Sequence, residues 1–212
     1  MIVKICGIKR IEDAITAIDA GADLLGFNFY PQSSRYISPE NCAQIVAKIN
    51  ESGKKAISVG VFVNEPLESI NAIIQSCNLD LVQLCGDESE EEMRILGKLA
   101  FKAVRPKSLE EGGSLLQRFA RQNAPALLVD AYKKGAYGGT GETGDWAIAD
   151  HLARQAPILL AGGLNPENVA EAVAAVNPWG VDVASGVESS PGVKEASKVL
   201  AFIAAAKGYP NA

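Results

Sequence analysis

The amino-acid sequence predicts an α/β protein, a single (β/α)8 barrel with eight parallel strands. Short apolar runs alternate with longer segments of helical period, which makes eight strand–helix units with no element left over. The runs are apolar throughout, as expected for parallel strands that are buried on both faces. The chain has 212 residues, 48% of them hydrophobic, which suffices for one domain over residues 1–212 with a substantial core.

Each expected strand is followed by its own helix. The strands are expected at residues 2–5, 24–29, 56–63, 81–84, 100–104, 126–130, 158–161 and 180–183. The helices are expected at about residues 11–20, 38–50, 66–76, 89–99, 109–121, 145–154, 166–176 and 194–206. The same units could form an open doubly wound sheet, but eight complete units favour the closed TIM barrel.

Two helix starts carry strong local signals. Ser38-Pro39-Glu40 and Asn165-Pro166-Glu167 each offer an N-cap, a proline at the first helical position and an acid in the first turn. Gly21 and Gly53 stand where the preceding helices are expected to end.

Composition narrows the classes of partner. The formal net charge of -5 and the pI of about 5.0 argue against a nucleic-acid partner, which usually requires a basic face. A small anionic substrate stays open, because a site can be locally positive on an acidic protein. No apolar run approaches the roughly 20 residues that span a bilayer, and the N-terminus lacks a long apolar signal core. We therefore expect no membrane partner and a cytoplasmic protein.

A bound metal is not expected. The four cysteines, Cys6, Cys42, Cys77 and Cys85, are widely and irregularly spaced, and the only histidine is His151. This pattern fits neither a zinc site nor a disulfide framework. His151 falls on an expected outer helix, so histidine acid–base chemistry is not expected either.

Chemistry in a barrel belongs at the C-terminal ends of the strands, where this chain has a thiol, an acid and an arginine. Asp130 closes the apolar run ALLVD, and partial loss of water there favours the protonated carboxyl of a general acid. Cys6 could be inert packing, but a thiolate opposite an acid could act as a general base. Lys4 alternates with Cys6 and could point the same way, but no role is assigned to it. Arg35 could hold a carboxylate with two parallel bonds. From position alone, a salt-bridge role for Asp130 and a solvated Arg35 remain open.

Two glycine turns predict a phosphate site. Strand seven ends in LAGGLNPENV, where Gly162 and Gly163 leave backbone N–H groups open. Strand eight ends in VDVASGVESSPGVK, where Ser185 and Gly186 open a second turn and a short extra helix could follow. Barrels commonly bind phosphate after strands seven and eight, and two ordinary tight turns are the alternative.

The loop after strand six is longer than most βα loops. It spans residues 131–144, and the glycine cluster GGTGETGDW begins within it at residue 138 and ends at residue 146. Loops of this length are usually functional lids or disordered segments, so we expect a flexible cover over the site.

Taken in order, the motifs of this chain resemble those of the phosphoribosylanthranilate isomerase family over nearly its whole length. The shared motifs are KICG at 4–7, GFNF at 26–29, SSR at 33–35, VQLCG at 82–86, Asp130, GGTG at 138–141, DW at 145–146, AGGLNPENV at 161–169 and VDVASGVESSPGVK at 181–194. The ordered set is highly specific. The family commonly has a histidine at the position of Cys85. This chain therefore lacks the imidazole that would lie against the aromatic part of the substrate. The family often has a serine at the position of Ala184, where backbone contacts would survive the change.

The resemblance implies an activity and a set of site residues. The family converts N-(5′-phosphoribosyl)anthranilate to 1-(2-carboxyphenylamino)-1-deoxyribulose 5-phosphate by an Amadori rearrangement in tryptophan biosynthesis. It implies that Cys6 is the general base, that Asp130 is the general acid, and that Arg35 holds the anthranilate carboxylate. The phosphate-binding residues that it implies are Gly141, Gly162, Gly163, Ala184, Ser185 and Gly186. No cofactor is expected, because an iminium is already an electron sink, and a monomer or a homodimer is expected.

Two rival classes stay open. One is another phosphate-binding barrel. A histidine-pathway isomerase would be expected to have an acid where this chain has Cys6, and an indole-glycerol-phosphate synthase would need a catalytic lysine at the barrel mouth. A triose or pentose phosphate isomerase would not need Arg35. The other is a sensor barrel that only binds a phosphorylated metabolite. The presence of both Cys6 and Asp130 argues against a sensor.

Overall fold

The strands form a closed parallel barrel. The structure is a computed structural model that describes residues 1–131 and 146–208. The strands of the barrel follow one another in chain order, and it closes because β1 pairs with both β2 and β8. They are β1 Ile2–Cys6, β2 Leu24–Asn28, β3 Ile57–Phe62, β4 Leu81–Leu84, β5 Ala100–Val104, β6 Leu127–Asp130, β7 Ile158–Ala161 and β8 Gly180–Val183. The predicted (β/α)8 barrel is confirmed.

A helix follows each strand and covers the outside of the barrel. The helices are α1 Ile11–Ala20, α2 Pro39–Glu51, α3 Leu67–Cys77, α4 Glu90–Leu96 with a 3-10 turn Gly97–Leu99, α5 Leu109–Phe119, α6 Trp146–Ala153, α7 Val169–Val176 and α8 Ala196–Lys207. Their apolar faces pack on the outward side chains of the strands, such as Ile5, Phe27 and Leu160, to form the larger core. In the part of the chain that the structure describes, no helix is long and apolar enough to cross a membrane.

The two helix-start signals have different outcomes. The Ser38 side chain caps α2 as predicted, by accepting a backbone N–H of the first turn. At the other site, the side chain of Asn165 accepts the backbone N–H groups of Glu167 and Asn168 at 2.9 and 3.0 Å. These bonds close a separate turn ahead of the helix. The predicted start at residue 166 is therefore wrong, and α7 begins at Val169.

The segment between β8 and α8 is more ordered than the sequence predicted. The expected short extra helix is present as a 3-10 turn, Ser185–Val187. It leads into a small antiparallel hairpin of β9 Glu188–Ser190 and β10 Val193–Lys194. The predicted start of the last helix at residue 194 is wrong, because that residue pairs in the hairpin and α8 begins only at Ala196.

A smaller apolar layer fills the inside of the barrel. Its buried members are Leu24, Val59, Phe101, Leu128, Leu159 and Ala161. Because successive side chains alternate across a strand, Lys4 and Cys6 lie on the same inner face of β1 as Ile2, successively nearer the C-terminal mouth. Above this apolar layer, Lys4 and Cys6 therefore form part of a polar layer beneath the C-terminal mouth of the barrel.

Candidate active site

A cavity of about 560 Å³ opens at the C-terminal end of the barrel. Of the predicted site residues, it is lined by Asp130, Gly162, Gly163, Ala184 and Ser185. The lining does not include three other predicted site residues: Cys6 ends β1, Arg35 lies in the loop after β2, and Gly186 lies in the 3-10 turn after β8. Gly141 and the other loop residues from 132 to 145 lie outside the described residues. The barrel thus brings together strand ends that are far apart in sequence.

The two glycine turns lie against each other. Gly162 and Gly163 have φ angles of 103° and 66°, in the left-handed region that favours glycine. Gly186 follows β8, and a Cβ atom there would overlap the carbonyl oxygen of Leu164 in the turn after β7. The close approach needs a residue without a side chain. Backbone groups from two strand ends therefore border one end of the cavity.

Asp130 is the last residue of β6 and lies in the cavity wall. Arg105, at the end of β5, donates to Asp130 Oδ2 from Nε at 3.1 Å and also from Nη2. The side chain of Arg105 is 67% exposed and that of Asp130 is 22% exposed. The sequence left two roles open for Asp130, a salt-bridge partner and an acid in the cavity. The structure shows that it is a salt-bridge partner and also lies in the cavity wall.

Cys6 ends β1 and is followed by a glycine that makes room for Arg35. Gly7 has φ +82°, and a Cβ atom there would lie 2.7 Å from Cδ of Arg35. The arginine side chain therefore runs directly across the backbone next to Cys6. The thiol itself is buried.

Arg35 is anchored by a carboxylate from the hairpin after β8. Its Nε and Nη2 donate to the two carboxylate oxygens of Glu188 at 2.8 and 2.7 Å. Lys194 Nζ donates to the same carboxylate and to the carbonyl oxygen of Ala184, both at 2.9 Å. The side chains of Glu188 and Lys194 are only 5% and 1% exposed. The solvated surface arginine that the sequence left open is excluded.

Burial and pairing compete in this cluster. Burial disfavours the Glu188 carboxylate, but hydrogen bonds from Arg35 and Lys194 outweigh it and lower the pKa of Glu188. Burial also disfavours the Lys194 ammonium and lowers the pKa of Lys194 despite its contact with Glu188. The hydrogen bond with Glu188 raises the pKa of Arg35. Two cations around one carboxylate suit a site that takes a further carboxylate.

Gln83 and Cys85 form the wall that β4 contributes. Gln83 Nε2 lies 3.2 Å from Cys85 Sγ, and its Oε1 is buried without a hydrogen-bond partner among the described residues. An unpaired buried acceptor costs free energy, so Oε1 suits a donor on a bound ligand. Cys85 faces the cavity, whose walls desolvate its thiol and raise the pKa of Cys85 to about 12. The residue in place of the family's histidine is thus a neutral thiol at neutral pH.

Sequence reasoning missed several of these residues. Gln83 could have been found, because it alternates with Cys85 at the end of an inward-facing strand. Glu188 and Lys194 stand in the shared motif at residues 181–194, but no role was assigned to them, because only the hairpin turns them toward Arg35. His151 lies on α6 as predicted, on the outside of the barrel.

Comparison with known proteins gives a consistent result. The family model described as "N-(5'phosphoribosyl)anthranilate (PRA) isomerase" matches residues 3–205. An N-(5'-phosphoribosyl)anthranilate isomerase of Geotalea uraniireducens is 47% identical over 206 residues, which are 97% of this chain and 98% of that protein. The crystal structure of phosphoribosyl anthranilate isomerase from Thermotoga maritima has a TM-score of 0.86 and 40% identity, and the match covers 98% of this chain and 100% of that one. A further structure of such an isomerase, in complex with reduced 1-(o-carboxyphenylamino)-1-deoxyribulose 5-phosphate, has a TM-score of 0.84 and 37% identity, with the same coverage.

Proposed function

The chain belongs to the N-(5'-phosphoribosyl)anthranilate isomerase family, and we propose that Cys6 and Asp130 are its general base and general acid. The enzyme converts N-(5-phosphoribosyl)anthranilate to 1-(2-carboxyphenylamino)-1-deoxyribulose 5-phosphate in tryptophan biosynthesis. This is an intramolecular oxidoreduction of the aldose–ketose type. The observation that carries the assignment is that Asp130 shares one cavity with both glycine turns, beside the strand end that holds Cys6.

The first step needs an acid. Asp130 protonates the ring oxygen of the ribose, the furanose opens, and a Schiff base forms between carbon 1 and the anthranilate nitrogen. Arg105 donates to Oδ2 of Asp130 from both Nε and Nη2, and this contact holds the carboxyl group in the cavity wall.

The second step needs a base. The thiolate of Cys6 takes the proton from carbon 2 of the sugar, and the electron pair of that C–H bond moves into the protonated imine. The resulting enolamine tautomerises to the ketone product. Because the iminium accepts the electron pair, protein residues suffice to move the protons.

The substrate carries an anionic group at each end, a carboxylate and a phosphate. Arg35 is proposed to hold the anthranilate carboxylate by the edge of its guanidinium that Glu188 does not occupy. The phosphate is proposed to lie at the other end of the cavity. Its proposed ligands are the backbone N–H groups of Gly141, Gly162, Gly163, Ala184, Ser185 and Gly186.

The proposal extends to the context in which the enzyme acts. We propose that residues 1–212 form a single catalytic domain that acts in the cytoplasm on a small phosphorylated substrate, as a monomer or a homodimer. Nucleic acid and membranes are not expected among its partners, given the acidic balance of charge. Light scattering on the purified protein distinguishes the two states of assembly.

The decay of phosphoribosylanthranilate fluorescence tests the two catalytic roles. Wild-type protein is compared with Cys6→Ser and Asp130→Val, with Asp150→Asn on α6 as a control for loss of a carboxylate outside the site. We expect turnover without added metal, a loss of several orders of magnitude in each site variant, and no loss in the control. Full activity of Cys6→Ser would show that another group is the base. A folded wild-type protein without turnover would favour a phosphate-binding barrel with another substrate, or the sensor barrel.

A further inference from the structure

Lys4 is a fully buried cation beneath the active-site mouth, and the mechanism above does not use it. It lies on the inner face of β1, and its Nζ is 2.7 Å from Asp182 Oδ1 on the neighbouring strand β8. Buried ion pairs are costly to desolvate and can often be replaced by apolar side chains without loss of stability. Stability alone therefore does not account for the ion pair of Lys4 and Asp182, and its position beneath the cavity suggests a role in the chemistry.

The ammonium of Lys4 and the sulfur of Cys6 are near neighbours. Both fill the space that Gly26 leaves open on β2: a Cβ atom there would lie 2.8 Å from Cys6 Sγ and 3.1 Å from Lys4 Nζ. Burial disfavours the ammonium, but Asp182 and Cys6 together outweigh burial and raise the pKa of Lys4. Lys4 is therefore a cation at neutral pH.

The other charged groups around Cys6 are already engaged. Arg35, from the loop after β2, is bound by Glu188, and Lys194, from the hairpin, donates to Glu188 and to a carbonyl oxygen. The thiol of Cys85, after β4, also faces Cys6 but stays protonated. Together with Lys4 and Asp182, these groups are three cations and two carboxylates. One positive charge is left over, and a Cys6 thiolate would neutralise it.

We propose that Lys4, held in place by Asp182, keeps Cys6 in the thiolate form. Lys4 is a positioning residue that acts through Cys6, and the inference rests on the proposed role of Cys6 as the base. When Cys6 takes the proton from carbon 2 it becomes a neutral thiol, while Lys4 keeps its own proton and its bond to Asp182. The same ammonium then favours return of the thiol to thiolate when the proton passes on to the product.

The pH dependence of Cys6 alkylation tests this proposal directly. The rate at which iodoacetamide modifies Cys6 is followed by peptide mass spectrometry from pH 5 to 10, because only the thiolate reacts. The same profile is recorded for Lys4→Met and for Lys9→Met, which removes an exposed lysine just beyond the end of the same strand. The pH profile of kcat is recorded alongside.

We expect the wild-type midpoint to lie below the ordinary cysteine value of about 8.5. Lys4→Met should raise this midpoint by about one to three pH units, and Lys9→Met should leave the midpoint unchanged. The acidic limb of kcat should move with the midpoint, so that Lys4→Met regains activity at high pH, which a merely structural lesion would not allow.

Several outcomes would overturn the proposal. A wild-type midpoint at or above the ordinary value would do so, as would an unchanged midpoint in folded Lys4→Met. If Lys4→Met does not fold, the wild-type midpoint and Lys4→Arg decide, since the arginine keeps the charge and must keep the low midpoint. If Cys6→Ser remains active while the midpoint still shifts in Lys4→Met, the proposed base is wrong but the effect of Lys4 on the thiol stands.

Discussion

Gly186 lies so close to Leu164 that a Cβ atom on the glycine would overlap the carbonyl oxygen of the leucine. One residue belongs to the turn after β8 and the other to the turn after β7. The contact brings the backbones of the two glycine turns together at the proposed phosphate site. A methyl group added at Gly186 would therefore force the two turns apart.

Gly186→Ala should separate the two turns. We expect KM for the phosphorylated substrate to rise by about tenfold, the loss of roughly one charge-assisted hydrogen bond, with a smaller change in kcat. The matched control is Gly113→Ala on α5, where an added Cβ meets nothing within 4 Å. That change should leave KM as it is and stabilise the helix by about 0.5–1 kcal/mol. An unchanged KM in Gly186→Ala would argue against a phosphate site between these turns.

Glu188→Gln should release Arg35 and leave Lys194 buried without its carboxylate partner. We expect KM to rise and the free energy of unfolding to fall by about 3 kcal/mol at neutral pH. Because the folded-state pKa of Glu188 is lowered from 4.5, its contribution is fully present above that pH and is lost as the pH falls through the lowered value. Urea unfolding from pH 3 to 8 measures it: the gap between wild type and variant should close toward the acidic end. The exposed Glu51→Gln serves as control, and a gap independent of pH would refute the assignment.

Lys102→Met should destabilise the turn after β4. Lys102 Nζ lies 2.5 Å from Glu88 Oε2, both side chains are buried, and Glu88 also accepts the backbone N–H groups of Asn64 and Gly86. Loss of the ammonium leaves a buried carboxylate unpaired, so we expect a loss of about 3–5 kcal/mol in the free energy of unfolding. Adding Glu88→Gln should restore part of it. Denaturant unfolding measures the effect, with the exposed Lys98→Met as a control that should change little; a similar small change in Lys102→Met would contradict the prediction.

Arg105→Gln should alter the activity more than the stability. The ion pair with Asp130 is exposed on the arginine side, so its loss should change the free energy of unfolding by less than about 1 kcal/mol. Removing the guanidinium takes away the contact that holds the carboxyl group of Asp130 in the cavity wall, so kcat/KM should fall by about tenfold. The value is read from fluorescence decay. An unchanged kcat/KM would show that Arg105 does not position Asp130 for catalysis.

Local patterns were enough for the barrel and for the ends of its strands. The apolar runs that mark the strands need only burial on both faces, and Ser38 needs only the first turn of its own helix to act as a cap. The same reasoning failed at Asn165 and at residue 194. At Asn165, hydrogen bonds from the backbone of Glu167 and Asn168 to its side chain form a separate turn, and residue 194 pairs with β9 in the hairpin instead of starting the helix.

The sequence by itself determined that eight short buried strands alternate with helices, and that a thiol, an acid and two glycine turns stand at strand ends. Only the tertiary structure decided which charges meet there. Arg35 reaches Glu188 across 153 residues of chain, and Lys4 reaches Asp182 across 178. The physical reason is that strand alternation and helix period depend on neighbours in sequence, whereas ion pairing depends on distance in space, which barrel closure between β1 and β8 sets.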